Sequence, residues 1–122
     1  VTDVAWLEGR TDVQLLHDTD APGDAFAVFY RRHVAALLRF AAARGADADT
    51  AADVVAETFF AALRGRMTYR SRHDSARLWL LGIAIRRLAD VHRRHAAEGR
   101  RSERLKTEAI VLTAADRESY EH

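Results

Sequence analysis

Three groups of side chains in this 122-residue chain carry residue types capable of catalysis, metal ligation or base recognition. His73-Asp74-Ser75 contains the types of a hydrolase triad, but consecutive side chains do not converge on one point as a nucleophile, its base and an orienting carboxylate must. No catalytic residue is assigned, and an enzyme is not expected. His92 and His95 stand three apart and could share a helix face as metal ligands, yet no third ligand lies near them, so no metal site is assigned. A glycine-rich phosphate loop is missing from the sequence, and no cofactor is expected. The third group differs in kind. Arg66, Tyr69, Arg70, Arg72, His73 and Ser75 set an aromatic ring among cations and hydrogen-bonding groups, directly before a segment rich in further arginines. That mixture suits single-stranded or unstacked bases, because a ring or guanidinium plane stacks on any exposed base while cations hold the backbone.

The charge distribution supports the same partner. The net charge of +1 conceals balances of −5 over residues 1–63, +9 over 64–106 and −3 over 107–122. A +9 block is an electrostatic footprint for a polyanion, since Lys and Arg gain affinity by releasing counterions condensed on phosphates. The competing reading is a solvated basic helix face.

Helices must position these groups. Thr11 or Asp12 caps a short first helix through Leu15 and Leu16, which ends near a turn at Asp20-Ala21-Pro22-Gly23. A second helix starts close to Asp24 and carries an apolar stripe of Phe26, Phe29, Tyr30, Val34, Leu37, Leu38 and Ala41 as far as Gly45, with Arg31, Arg32 and Arg39 facing solvent. Thr50-x-x-Asp53 resembles a capping box and opens a third helix, with Val55, Phe59, Ala62 and Leu63 inward and a stop near Gly65. Residues 65–74 have no helical period. Asp74 or Ser75 caps a fourth helix whose opening, Leu78 to Ile85, is apolar all round and is expected to be buried, with Trp79 in the core. Leu88 and Val91 continue its core side, while Arg86, Arg87, Arg93 and Arg94 begin a basic stretch reaching Lys106. The fold class is all-α, a compact bundle of three long helices plus one short N-terminal helix. Residues 1–106 form the domain, and 107–122 read as an acidic linker or tail with marginal helix.

With 48% apolar residues the chain can bury one core, and without cysteine it has no disulfide or thiolate site. No apolar run approaches the roughly 20 residues of a membrane span, and the start around Asp3 and Glu8 lacks the order of a signal peptide, so a cytoplasmic protein without membrane insertion is expected.

The order of segments resembles the second region of extracytoplasmic-function (ECF) sigma factors, across roughly Asp12 to Arg104. The matching stretches are Asp24 to His33 followed by Leu37 to Ala41; Asp53-Val54-Val55-Ala56-Glu57-Thr58-Phe59; and Ser75 to Ala84, with Asp90 and Arg93-Arg94 downstream. The resemblance implies that Asp53, Ala56, Glu57 and Phe60, which share a face by their spacing, dock on the clamp helices of the large subunit of core RNA polymerase. It implies also that the loop Arg66 to Ser75, including Tyr69, Arg70, Arg72, His73 and Asp74, meets the promoter minus-ten element together with the exposed side of the fourth helix (Arg77, Arg86, Arg87, Arg93, Arg94). There a base flipped from the non-template strand is captured. An anti-sigma factor is a further implied partner. Ala56 stands where the family usually has glutamine, and Ile85-Arg86 where it usually has arginine and asparagine; these departures bear on one polar contact to polymerase and one to promoter DNA. Nothing after Lys106 has the length of the family's second promoter-reading domain, so the chain is expected to be a fragment of a longer factor. Two rivals are a regulator that binds double-stranded DNA through a helix in the major groove, and a protein-interaction bundle without DNA specificity.

Overall fold

The computed structural model describes residues 5–70 and 73–121, with side chains of the last helix described as far as Arg117. A 3-10 turn at Ala5–Gly9 is followed by α1 (Asp12–Leu16), α2 (Pro22–Ala43), α3 (Ala48–Gly65) and α4 (Arg77–Glu121). No strand occurs among the described residues, as the helical periodicities require. The chain divides into two units, residues 1–88 and 89–122.

Each helix boundary has a local cause. Thr11 caps α1 in a capping box with Gln14, each side chain bonding the other's backbone N–H. Asp12, the alternative cap, turns inward instead and is only 1% exposed. Pro22 and Gly23, expected in a turn, are the first two residues of α2: proline loses nothing at that position, where its missing N–H would have no helical partner. The turn lies just before them, held by Asp18, whose Oδ1 accepts from the backbone of Asp20 at 3.1 Å and Ala21 at 2.7 Å. At the far end Gly45 adopts φ 92°, a left-handed conformation that stops the helix without steric penalty. α3 begins two residues before Thr50, because the Asp47 carboxylate accepts from the Thr50 N–H at 2.8 Å.

The core of the first unit joins Leu7, Leu15 and Leu16 to Phe29 and Leu37 of α2, Val55, Phe59 and Ala62 of α3, and Leu80 and Ala84 of α4. Phe59 meets Phe26, Phe29 and Tyr30 edge-on at centroid distances of 6.4, 6.2 and 4.7 Å, the arrangement favoured by ring quadrupoles. The opening of α4 departs from expectation. Leu80, Ala84 and Leu88 are buried, but Leu78 is 80% exposed and Ile85 is exposed as well. One face of this segment completes the core, with Trp79 and Leu81 half-buried at its margin, and Leu78 and Ile85 face outward.

A second departure is Arg32. Instead of lying free in solvent, it bonds the Asp12 carboxylate at 2.9 Å and the Glu8 carbonyl at 2.8 Å, tying the N-terminal segment to α2. In the second unit, the acidic stretch expected as a tail with marginal helix is helical to Glu121.

Candidate functional site

Two surfaces of the first unit gather most of the residues singled out in the sequence. On α3, Asp53, Ala56, Glu57 and Phe60 are all exposed, as their three- and four-residue steps require. Phe60 is 59% exposed although its neighbour Phe59 is core. It adds a large apolar ring to a face otherwise made of carboxylates and a small side chain. Arg64 lies with its guanidinium 4.7 Å from the Phe60 ring centroid, a cation–π contact that holds the ring's orientation. Ala56, Glu57, Phe60 and Arg64 line a shallow depression together with Arg87 of α4. Arg64 was legible in the sequence as the residue four after Phe60. Arg87, assigned above to DNA, is brought to the α3 surface by the packing of α4 and is half-buried there.

The second surface is the α3–α4 connection. Arg66 is turned back on the end of α3, donating to the Leu63 carbonyl at 2.7 Å, and Arg70 donates to the Met67 carbonyl at 3.5 Å. Tyr69 is 8% exposed, with its ring 4.7 Å from that of Trp79. Its ring therefore packs in the core and is not offered to a base, because Trp79, itself only half-buried, needs a partner to cover its face. His73, Asp74 and Ser75 are exposed, and the Ser75 hydroxyl accepts from the Arg77 N–H at 3.2 Å. That bond makes Ser75 a cap of α4, as expected, whereas Asp74 has a different task described below. Arg72 lies outside the described residues.

Arg77 is exposed, but its guanidinium is engaged within the protein. Its Nε donates to His33 Nδ1 at 3.2 Å and its Nη2 to the Arg32 carbonyl at 3.2 Å. Because Arg77 can only donate, His33 Nδ1 accepts, so the proton of this buried imidazole sits on Nε2 and is donated to Asp12 Oδ2 at 2.7 Å. The same Oδ2 accepts from the Ala76 N–H at 2.6 Å. Burial by itself would raise the Asp12 pKa; the hydrogen bonds from His33, Ala76 and Arg32 outweigh it and hold the carboxyl below its ordinary value of 3.8. The pattern gave no sign of this network, since Asp12 reads as an ordinary cap and His33 as one more polar residue of α2.

Arg86 is exposed in the first unit. In the second unit Arg93 and Arg94 are exposed, and Arg93 is ion-paired with Asp90 one turn earlier. Among the described residues no cluster of His, Asp or Glu could hold a metal ion, and no helix is long and apolar enough to cross a membrane.

Residues 29–98 match the Sigma-70 region 2 family. The chain belongs to that family. This region 2 domain thereby has a sigma factor's general role, binding RNA polymerase and melting promoter DNA, which is a binding function and not an enzymatic one. The matched span takes in the α3 face, the α3–α4 connection and the basic first half of α4. No curated protein and no solved structure matches the chain.

Proposed function

We propose that this region 2 domain belongs to an alternative sigma factor of the ECF type and divides its work between the two surfaces. The α3 face of Asp53, Ala56, Glu57 and Phe60 docks on the clamp helices of the large subunit of core RNA polymerase. The loop between α3 and α4 reads an unstacked base of the minus-ten element on the non-template strand, and the exposed arginines of α4 hold the phosphates. Residues 1–106 act as the promoter-melting domain, and the acidic segment after them follows it as a connector. An anti-sigma protein would act by covering the α3 face, in the cytoplasm where polymerase works.

The observation that carries this reading is the exposed Phe60, in contact with Arg64 and sharing a face with Asp53 and Glu57 on a helix whose opposite side is core. Such a surface offers a partner an apolar ring to bury at the centre of a polar face, and the matched family supplies the class of partner. Retention of core RNA polymerase on the immobilised domain tests it. Asp53→Arg with Glu57→Arg abolishes retention while leaving helicity and melting temperature nearly unchanged, because reversal of exposed charges shifts stability by under about 0.5 kcal/mol. Retention at wild-type strength in the double variant overturns the assignment.

A further inference from the structure

The α3–α4 loop is not free at its ends. His17, immediately after α1, has its Nε2 2.9 Å from the Tyr69 carbonyl; a carbonyl only accepts, so this nitrogen carries a proton and donates it. At the other end the Asp12 N–H donates to the Asp74 carbonyl at 3.0 Å, and the Asp12 carboxylate accepts from the Ala76 N–H at 2.6 Å. Asp12 and His17 stand at the two ends of α1. A helix of five residues thus meets both described ends of the loop, its bonds there falling on backbone groups of Tyr69, Asp74 and Ala76.

α1 is suited to hold something else in place. Its N-terminal end is closed by the Thr11–Gln14 capping box, Leu15 and Leu16 are fully buried, and Asp12 is fixed by Arg32 and His33 of α2. Among the described residues of this stretch, Arg70, His73, Asp74 and Ser75 are exposed. A loop that discriminates between bases must present its polar groups within a few tenths of an ångström, since discrimination rests on hydrogen-bond geometry. None of those four residues is held by core packing of its own side chain.

We propose that α1 is a clamp that fixes the two described ends of the base-reading loop, with His17 and Asp12 as positioning residues for promoter selectivity. The inference rests on the loop reading proposed above. His17 and Asp12 do not touch the DNA; they act through the Tyr69 carbonyl and through the Asp74–Ala76 backbone. Loss of the clamp therefore lowers discrimination between sequences while leaving general attraction to single strands, which the α4 arginines supply, intact.

His17 is the better position to test, because Asp12 is deeper in the core. His17→Gln keeps an N–H donor of similar reach, and His17→Met keeps the volume without a donor. The probe is a single-stranded DNA carrying a randomised hexamer, selected on the whole chain, followed by anisotropy on the enriched strand and a scrambled one. His17→Met loses about three- to tenfold of the wild-type preference, the range expected for one net hydrogen bond; its affinity for the scrambled strand and its retention of core polymerase are unchanged. His17→Gln retains the preference. An undiminished preference in His17→Met overturns the clamp, as does an equal loss in both variants. A wild-type chain that enriches no sequence overturns the loop reading itself, and the clamp with it. Should His17→Met not fold, amide exchange on the wild-type chain decides: rapid exchange at the Ala76 N–H, bonded to Asp12, overturns the clamp.

Discussion

Asp12 and Ala76 stand 64 positions apart, yet the carboxylate of one caps the backbone N–H of the other at 2.6 Å, where α4 begins. A helix start normally finds its acceptor in the residue just before it. Here an acceptor from α1 adds to the local Ser75 hydroxyl that bonds the Arg77 N–H, so the start of α4 is tied to the N-terminal segment as well as to its own flank.

The Asp12 carboxylate receives bonds from Arg32, His33 and Ala76, and the buried donors of His33 and Ala76 have no replacement acceptor if it is removed. Asp12→Ala is expected to destabilise the domain by about 3 kcal/mol or more, because it strands buried donors as well as deleting their acceptor. Urea denaturation followed by circular dichroism measures it, with Asp24→Ala, an exposed carboxylate in the first turn of α2, as the control.

The same carboxylate shapes the acid limb of stability. Its native pKa is held below 3.8 by the hydrogen bonds that outweigh its burial. With the native value depressed, the contribution is complete above the ordinary carboxylate pKa, declines as pH falls below it, and is gone once pH passes the native value. A series of melting curves from pH 6 downward is expected to show this loss in the wild type, and a shallower acid limb in Asp12→Asn. Parallel acid limbs would assign the loss to other carboxylates.

Phe59 and Phe60 are adjacent in sequence and opposite in role. Phe59→Ala is expected to cost about 3–5 kcal/mol, since it empties the centre of the aromatic cluster formed with Phe26, Phe29 and Tyr30. Phe60→Ala is expected to leave stability within about 0.5 kcal/mol and to weaken retention of core polymerase. Thermal melts and polymerase capture on the two variants separate packing from binding.

Arg93 and Arg94 are exposed and lie on the basic half of α4. Replacing both with alanine is expected to weaken binding to every single-stranded oligonucleotide alike and to reduce the salt slope by about 0.7 for each phosphate no longer neutralised. Arg94 is expected to account for more of the effect, because Arg93 is paired with Asp90 in the free protein. Anisotropy over a salt series on single and double variants measures both quantities.

Features that depend on neighbours along the chain were legible in the residues alone. Helical spacing placed Phe29, Leu37, Val55 and Phe59 in a core and Asp53, Ala56, Glu57 and Phe60 on one outer face, because a residue's side of a helix follows from its count of steps. The Thr11 cap and the stop at Gly45 follow from local hydrogen bonding and from the one left-handed glycine. Packing between elements settled which apolar and polar groups find partners far away. Tyr69 reads as a stacking platform among cations, but Trp79 presents a face that needs covering, and the ring goes inward. Leu78 and Ile85 read as core, but the space is filled by Leu80, Ala84 and Leu88, and they stay outside. Asp12, His17 and His33 carry no spacing signal, because their acceptors and donors lie on other elements, and no periodicity within a helix records which backbone group another helix will bring against it.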